Sequence, residues 1–376
     1  MKKILFLTGT RADFGKTKSL ISLLDTQPNF QTFVFITGMH LQEQYGMTRI
    51  EIERCHFKNT HTFENQTHET TMDLTLAKTI EGLSAYTKTI KPDLIVVHGD
   101  RVETLAGAIV GSLNNILVAH IEGGELSGTV DELIRHSVSK LSHIHFVSNT
   151  DAANRLQLMG ENKSAIFTIG SPDIDIMFGP NLPTLDTVKE YYQIDFQEFA
   201  IVMFHPVTTE SHLMQQHANH FVNSLLEDHH HYIVIYPNND LGSQAIIDAF
   251  ACLQDNPRFR VFPSLRFEYF LTLLKNSQFI IGNSSAGIRE APCYGIPTIN
   301  VGTRQQNRAS SSQIVNCSYA QSDILKALDT IDKQPKMEVE NEFGLGNSAA
   351  LFLSTLNSNE LWQISQQKVW NSEVHF

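Results

Sequence analysis

Short apolar runs alternate with helix-like segments over most of this chain, and this alternation constrains the fold more than any other feature. In the first half, Lys3 to Leu7, Phe33 to Thr37 and Ile116 to Ala119 are such runs, and each is followed by glycine or polar residues. The second half repeats the pattern from Phe199 to Phe204 and from Tyr232 to Tyr236. Continuous apolar runs of this length are typical of strands buried on both faces. The sequence therefore predicts an α/β protein with parallel, doubly wound sheets.

The length of the chain, 376 residues, suits two domains that each have their own core. The alternation lapses between Gly170 and Leu185, where three prolines break helix and strand alike. We therefore predict two Rossmann-like domains, residues 1–170 and 171–376, with a cleft between them. The last stretch, from Asn347 on, has a helical pattern and could pack back on the first domain.

The composition excludes several classes of function. A formal net charge of −12 argues against nucleic acid or an anionic membrane as the main partner. No apolar run approaches membrane-spanning length, and the four cysteines are scattered without metal-type spacing, which fits a reduced, cytoplasmic compartment. The GxGxxG, GxxxxGK(S/T), HExxH and GxSxG patterns are all missing from the relevant loops, so we expect neither a dinucleotide cofactor nor a catalytic metal.

Charged side chains follow several predicted strands directly. Arg11, Asp100 and Glu122 lie where apolar runs end, and ligands of parallel sheets bind beyond the carboxyl ends of the strands. Asp131 lies a short way beyond Glu122, at the start of a helix-like stretch and one turn before Arg135. Carboxylates that converge on one site raise one another's pKa, so that one can donate a proton and another accept it. The alternative is that Glu122 only ends a strand and that Asp131 and Arg135 form an exposed ion pair.

A second candidate site is the loop from Gly282 to Gly287, which is rich in glycine and serine and opens a helix-like stretch. Backbone N–H groups at such a helix start bind phosphate readily, and Ser284 and Ser285 add hydroxyl donors. The alternative is an ordinary helix cap and tight turn. Arg308, and also Arg304, follow the next predicted strand and favour the phosphate interpretation.

Three further residues are candidates with a structural alternative. Lys16 follows the first strand at a helix start, which is a natural anion position. The aromatic run from Phe267 to Phe270 could form a slot for a flat base, with Phe270 as the neighbour of the base, or it could be core packing. His205 precedes a proline at a strand end and could be catalytic or structural.

The run Asp228-His229-His230-His231 invites a metal interpretation. Adjacent histidines do not share a helix face as a pair four residues apart does. We therefore predict a solvated helix end there and no metal site.

Seven motifs in order now point to a known family. They are GTRADFGK, TGMH, HGDR, HIEGGELSGTVDELIRH, HPVTTE, GNSSAGIREAP and GTRQQNR, which run from Thr8 to about Arg308. Together they resemble the UDP-N-acetylglucosamine 2-epimerases, most of all the hydrolysing bacterial branch, which releases N-acetylmannosamine for sialic acid and capsule synthesis. No single motif is decisive, but the ordered set is specific.

The resemblance implies a glycosyltransferase-B-like fold of two Rossmann-like domains with UDP in the cleft, mainly on the second domain. It also implies a homodimer that binds UDP-GlcNAc and UDP. The implied UDP contacts are the backbone and hydroxyls around Ser284, Ser285 and Gly287 for the phosphates, Arg11 and Arg308 as a cationic clamp, Glu290 for the ribose and Phe270 for the base. Lys16, Arg135 and His205 match positions near the sugar or diphosphate in relatives.

The family's catalytic carboxylates fall on Asp100, Glu122 and Asp131. In the implied reaction a carboxylate removes the C2 proton of the sugar while UDP departs from C1, which leaves 2-acetamidoglucal. Water then adds to C1, and a proton returns to C2 from the opposite face. We expect Asp100 and Asp131 to transfer protons at C2, with Glu122 as a partner or acid and His205 nearby.

Two departures from the non-hydrolysing branch favour hydrolysis: Met39 stands where that branch usually has glutamine, and Asp131 where it usually has glutamate. The shorter side chain of Asp131 could leave room for water at C1. Three alternatives stay open at this point: a hydrolysing 2-epimerase of UDP-2,4-diacetamido-2,4,6-trideoxyglucose, a glycosyltransferase on the same scaffold, and a nucleotide-sugar sensor without catalysis.

Overall fold

The computed structural model describes residues 1–66, 71–305, 312–333, 338–339 and 342–370. The chain divides into two compact units. Unit 1 comprises Met1–Glu125, Asp131–Asn181 and Glu342–Phe376, and unit 2 comprises Leu126–Val130 and Leu182–Asn341. The domain assignment from the sequence, 1–170 and 171–376, stays a prediction.

Unit 1 is built on a parallel sheet. Its described strands are β1 (Lys2–Thr8), β2 (Phe30–Ile36), β3 (Thr60–Thr62), β4 (Leu94–His98), β5 (Leu117–Ile121), β6 (Ile144–Val147) and β7 (Ile166–Thr168). They lie in the order β3-β2-β1-β4-β5-β6-β7. The helices are α1 (Arg11–Asp25), α2 (Arg49–Glu53), α3 (Met72–Ile90), α4 (Val102–Leu113), α5 (Thr129–Leu141), α6 (Thr150–Leu158) and α7 (Pro172–Met177).

Unit 2 repeats the architecture. Its described strands are β8 (Ala200–Met203), β9 (Tyr232–Ile235), β10 (Phe259–Phe262), β11 (Ile280–Gly282), β12 (Thr298–Val301) and β13 (Ile314–Cys317), in the order β10-β9-β8-β11-β12-β13. Its helices are α8 (Leu185–Tyr192), α9 (Met214–Glu227), α10 (Ser243–Phe250), α11 (Phe267–Asn276), α12 (Ala286–Cys293) and α13 (Gln321–Ile331). The predicted class, α/β with parallel, doubly wound sheets, is confirmed.

Both sheets have a topological switch point, where successive connections run in opposite directions along the sheet. In unit 1 it lies between β1 and β4, and in unit 2 between β8 and β11. A crevice forms beyond the carboxyl ends of the strands at such a point, and ligands of doubly wound proteins bind there. The residues that follow these four strands are therefore the natural places to look for function.

The last described α-helix, α14 (Ser348–Asn357), packs on the core of unit 1. Its Phe352 is fully buried, and the ring lies 6.3 Å from Phe6 of β1 and 4.7 Å from Phe146 of β6. Among the described residues, no helix combines the length and the apolar character needed to cross a membrane.

Two strands and one helix of the structure differ from the sequence analysis. The edge strands β3 and β13 were not predicted, because each is short and partly exposed and so lacks a continuous apolar run. The stretch after Gly170 was predicted to be irregular, but Pro172 begins α7. Proline is tolerated in the first turn of a helix, where the missing N–H has no intrahelical partner.

The histidine run at the end of α9 is only partly a solvated helix end. His229 is exposed, but the His230 ring is buried and its Nδ1 lies 2.7 Å from an oxygen of Asp228. Tyr232 donates a further hydrogen bond to Asp228, 2.6 Å long. Burial by itself would lower the pKa of His230, but the hydrogen bond and charge of Asp228 and the charge of Asp332 outweigh it and raise that pKa. The prediction failed for His230 because this residue leads into the buried strand β9.

Candidate active site

The loop after β1 is organised by the partly buried carboxylate of Asp13. Asp13 accepts hydrogen bonds from the N–H groups of Gly9 (2.9 Å) and Thr10 (3.1 Å) and from the Thr8 hydroxyl. Thr10 and Asp13 cap each other's backbone reciprocally, which fixes the start of α1. Burial raises the pKa of Asp13, against the hydrogen bonds from Thr8 and Gly9. The partly buried Arg11 is thereby held at the first position of α1, beyond the end of β1.

Arg135 connects two of the predicted catalytic residues, Asp100 and Glu122. Its guanidinium donates one hydrogen bond to the carboxylate of Asp100 and another to the backbone carbonyl of Glu122. Arg135 is 3% exposed, so the alternative interpretation of an exposed ion pair is wrong for this residue. A planar guanidinium with several fixed donors can hold two strand-end loops in one geometry. Asp131 lies one turn earlier on α5, which brings it to the same region of unit 1.

Glu122 lies in a dense set of polar contacts although it is only 3% exposed. Its oxygens accept a hydrogen bond from Ser171 and lie 3.1 Å from His98 Nε2 and 3.7 Å from Lys16 Nζ. Its backbone is also left-handed, with φ of 61°. A non-glycine residue in this conformation costs roughly 1–3 kcal/mol and is concentrated at functional sites. Glu122 is therefore held in place by partners on three sides.

Lys16 lies between two carboxylates. Its ammonium is 3.1 Å from Asp173 and 3.7 Å from Glu122, and the residue is 8% exposed. Ser171 and Asp173 belong to unit 1, so the start of α7 completes this site from a distant part of the chain. The sequence analysis identified Lys16 and Glu122 but missed Asp173, which no local motif indicates.

His120 is a buried contact residue beside Asp100 that the sequence analysis also missed. The ring is fully buried in β5, Nε2 lies 2.8 Å from the carbonyl of Gly99, and Nδ1 lies 3.0 Å from the hydroxyl of Ser139 on α5. The carbonyl only accepts, so Nε2 carries the proton and Nδ1 accepts from the hydroxyl. Burial lowers the pKa of His120 well below its ordinary value, so the ring is neutral. The two hydrogen bonds of His120 connect the loop that carries Asp100 to α5.

The switch point of unit 2 is organised by an amide. Asn283 follows β11 and is 1% exposed, and its side chain accepts from the N–H of His205 (2.6 Å) and donates to the His205 carbonyl (2.9 Å). Its own carbonyl accepts from the side chains of Gln305 (2.9 Å) and Arg304 (3.2 Å). One residue thus joins the loops that follow β8, β11 and β12.

The ring of His205 has a fixed orientation. Its Nδ1 accepts a hydrogen bond of 3.0 Å from the backbone N–H of Asn238, which follows β9. In the neutral ring the proton is therefore on Nε2. His205 is held by both its backbone and its ring, and it remains partly exposed.

Two positions of the candidate phosphate loop, Gly282 and Gly287, leave no space for a Cβ atom. A Cβ on Gly282, whose φ is 137°, would lie 2.0 Å from the Met203 carbonyl of β8. A Cβ on Gly287 would lie 2.6 Å from the methyl group of Thr298. Ser284 is nearly buried and accepts from the N–H of Ala286 (3.3 Å) at the start of α12. Gly287 therefore has a packing role in addition to any contact with a ligand.

The other predicted site residues of unit 2 differ in their exposure to solvent. Phe270 is on α11 and Glu290 on α12, and they are 8% and 3% exposed. Ser285 is partly exposed at the cap of α12. Arg308 lies outside the described residues, so its predicted role in the cationic clamp is not tested.

The two sheets, their switch points and the strand-end polar residues define the class: an α/β protein with two Rossmann-like domains of the glycosyltransferase-B-like kind. A family model supports a closer assignment, because residues 22–357 match the one described as "UDP-N-acetylglucosamine 2-epimerase". The chain therefore belongs to the UDP-N-acetylglucosamine 2-epimerase family, as its motifs predicted.

Individual relatives agree with this family. The chain is 47% identical over 371 residues to the UDP-N-acetylglucosamine 2-epimerase of Neisseria meningitidis serogroup B, with 98% of each chain covered. It is 32% identical to the UDP-N,N'-diacetylbacillosamine 2-epimerase (hydrolyzing) of Legionella pneumophila, over 93% of this chain and 94% of that one.

A solved structure supports the fold. The crystal structure of a UDP-GlcNAc 2-epimerase from Neisseria meningitidis bound to UDP-GlcNAc superposes with a TM-score of 0.79. It shares 20% identity and covers 94% of this chain and 99% of its own. At that identity the similarity extends to the arrangement of strands and helices alone.

Proposed function

We propose that this protein is a hydrolysing UDP-N-acetylglucosamine 2-epimerase, which converts UDP-GlcNAc and water to N-acetylmannosamine and UDP. The observation that carries the proposal is the pair of hydrogen bonds from the buried Arg135, which connect the carboxylate of Asp100 to the carbonyl of Glu122 at neighbouring strand ends. The proposal is further supported by the family and by 47% identity to the Neisseria meningitidis 2-epimerase.

The proposed chemistry belongs to unit 1. Asp100 and Asp131 transfer protons at C2 of the sugar, and Glu122 acts as their partner or as an acid. A general acid or base contributes roughly 10²–10⁴-fold to such a step. The fixed contacts of Glu122 with Lys16, at 3.7 Å, and with Ser171 suit a group whose orientation must not change during turnover.

The proposed nucleotide contacts belong mainly to unit 2. The N–H groups and hydroxyls around Ser284, Ser285 and Gly287 take the diphosphate, Glu290 takes the ribose and Phe270 adjoins the base. In this proposal Arg11 and Arg308 neutralise the negative charge of the diphosphate, and Arg135 and Lys16 lie near the sugar. Donors at a helix start stabilise the negative charge that grows as UDP leaves. His205 Nε2–H is a further donor at the same switch point.

We propose water as the acceptor at C1, with 2-acetamidoglucal as the intermediate. The shorter side chain of Asp131 and the absence of a glutamine at Met39 support hydrolysis over simple epimerisation. We also propose that the protein is a cytoplasmic homodimer that serves sialic acid or capsule synthesis and needs neither metal nor cofactor. These assignments rest on the resemblance of the motifs to the hydrolysing branch.

The test is to incubate the purified protein with UDP-GlcNAc in deuterated water and to identify the products by NMR. We expect UDP and free N-acetylmannosamine that carries deuterium at C2. Product without deuterium would contradict proton abstraction at C2. Accumulation of UDP-N-acetylmannosamine would move the protein to the non-hydrolysing branch, and consumption only with an added acceptor would indicate a glycosyltransferase.

A second candidate is hydrolysis and epimerisation of a UDP-linked 2,4-diacetamido-2,4,6-trideoxyhexose. It is supported by the 32% identity to the Legionella pneumophila enzyme, which is named for UDP-N,N'-diacetylbacillosamine. Parallel kcat/KM measurements with both nucleotides decide between the two. A higher value for UDP-GlcNAc supports the first proposal, and a higher value for the diacetamido sugar replaces it.

A further inference from the structure

The segment that follows α14, residues 358–370, contacts the end of α5, and Lys368 makes three of these contacts; we call it the anchor segment. Lys368 donates from its ammonium to the carbonyls of Ser139 (2.9 Å), Lys140 (2.9 Å) and Ser142 (2.6 Å). The last carbonyls of a helix have no intrahelical partner and carry the negative end of the helix dipole. The ammonium of Lys368 therefore caps the carboxyl end of α5 (Thr129–Leu141).

A buried carboxylate strengthens this attachment. The Glu161 side chain is 1% exposed and lies 2.5 Å from Lys368, 2.7 Å from Lys140 and 3.0 Å from His145. Burial by itself would raise the pKa of Glu161, but the hydrogen bond and charge of His145 and the charges of the lysines lower it to about 2. Glu161 is therefore ionised at neutral pH and joins the anchor segment to α5. The ring of Trp370 also covers the Lys140 ammonium at 4.6 Å.

Two paths lead from this attachment to Asp100. On the first, the Ser139 hydroxyl contacts His120 at 3.0 Å, and His120 contacts the carbonyl of Gly99 at 2.8 Å, next to Asp100. On the second, Arg135 lies one turn before Ser139 on α5 and binds the Asp100 carboxylate directly. A shift of α5 along its axis would therefore move both groups that hold Asp100.

We propose that Lys368 is a positioning residue for the reaction of unit 1, acting through α5 on Asp100 and Asp131. This inference rests on the proposed function. Lys368 contacts the carboxyl end of α5, whereas Asp131 lies in the first turn of the same helix. A misplacement of about 1 Å at reacting groups can cost about 10²-fold in rate. Loss of Lys368 therefore lowers kcat and leaves the nucleotide contacts of unit 2 intact.

The test compares Lys368→Met and Lys368→Arg with the control Lys333→Met. Lys333 is an exposed lysine of unit 2, and its ammonium pairs at 2.6 Å with Asp329 of α13. For each variant we measure kcat with UDP-GlcNAc per folded enzyme, the Kd of UDP by calorimetry, and Tm.

We expect Lys368→Met to lower kcat about 10–100-fold with the Kd of UDP within about twofold. Lys368→Arg should recover part of the lost kcat, and Lys333→Met should match the wild type. A lower Tm with unchanged kcat per folded enzyme would show a purely structural role and overturn the inference. An equal loss of UDP affinity would overturn it as well.

A second variant applies if Lys368→Met does not fold. Ser139→Ala removes only the hydroxyl that contacts His120 and leaves the carbonyl bonds of Lys368 in place. We expect a fall in kcat of about 3–10-fold, which corresponds to about one hydrogen bond, and unchanged kcat contradicts the inference. Wild-type protein that does not consume UDP-GlcNAc overturns the proposed function and the inference together, whereas an active wild type with active variants overturns the inference alone.

Discussion

The two switch points of this protein have the same strand order around them but different chemistry. In unit 1 the segments that follow β1, β4 and β5 carry charged groups, and Lys16, Asp100 and Glu122 each have an ionic or charge-assisted partner. Between β8 and β11 of unit 2 the loops are joined by the neutral amide of Asn283, which bonds the backbone of His205. The topology is shared, and the side chains placed on it differ.

This difference indicates how two units with the same topology can take different functions. Charged groups held in fixed directions suit proton transfer, which needs defined donors and acceptors. Backbone and amide donors suit a diphosphate, which needs several N–H groups and little selectivity in proton affinity. We therefore expect substitutions in unit 1 to lower kcat and substitutions in unit 2 to weaken UDP binding. The predictions below test that separation, from the largest effect to the smallest.

The largest effect is expected from Asp131→Asn. The amide cannot act as a base, so kcat should fall about 10²–10⁴-fold. The matched control is Glu132→Gln, because Glu132 is the next residue on α5 and its carboxylate lies 2.8 Å from the ring of the partly exposed His136. Steady-state kinetics with UDP-GlcNAc give both values. Similar losses in the two variants would show that α5 tolerates no charge change and that Asp131 has no special role.

A smaller effect is expected from Asn283→Ala in unit 2. The change leaves the N–H and carbonyl of His205 without their partner, and an unsatisfied buried group costs about 1–3 kcal/mol. We expect the Kd of UDP to rise about 10–100-fold, measured by calorimetry, with a smaller change in kcat at saturating substrate. Asn276→Ala, at an exposed helix end, is the control. A lower kcat with an unchanged Kd of UDP would contradict the assignment of nucleotide binding to unit 2.

Acid should affect the two units differently. In unit 1, burial lowers the pKa of His40 to about 3 and that of His120 well below its ordinary value. The unfolded chain binds protons at these histidines near pH 6.5 whereas the folded state does not, so these groups destabilise unit 1 as the pH falls below that value.

His230 of unit 2 has a raised pKa and behaves in the opposite way. Its stabilising contribution is complete below pH 6.5 and is lost as the pH rises through the folded-state pKa. We expect amide hydrogen exchange to show a larger loss of protection in β4 and β5 than in β9 when the pH is lowered from about 7.5 to about 5.5. Equal losses would contradict this assignment.

The smallest effect is expected from Gly287→Ala. The added Cβ would lie 2.6 Å from the Thr298 methyl group, and overpacking of this kind costs about 1–3 kcal/mol. The higher helix propensity of alanine offsets up to about 1 kcal/mol of this cost. Denaturant unfolding should therefore show a small loss of stability. The double variant with Thr298→Ser, which keeps the hydroxyl bonded to the Gly287 carbonyl at 2.7 Å, should recover it.

The sequence predicted the parts of the site that are local. Asp100 and Glu122 follow the ends of apolar runs within two residues, so the rule for parallel sheets predicts both at one edge of a sheet. The partners of these residues were not predictable in the same way. Asp173 meets Lys16 only because α7 packs against α1 within unit 1, and Asn283 meets His205 across a sequence separation of 78 residues.

His120 shows a second limit. A histidine inside an apolar run has no sequence signature that separates a buried structural ring from a ligand-binding one. Its role follows from two contacts, with Gly99 and Ser139, that depend on the packing of α5 against the sheet. The motifs could identify the family, but they could not show that the anchor segment bonds to the end of this helix.

The most direct test of the separation between chemistry and nucleotide binding is the UDP affinity of Asp100→Asn, measured beside its turnover. We predict that kcat falls about 10²–10⁴-fold while the Kd of UDP stays within about twofold of the wild-type value. A Kd that rises by the same factor as kcat falls would mean that Asp100 holds the nucleotide, and it would contradict the assignment of chemistry to unit 1 and nucleotide binding to unit 2.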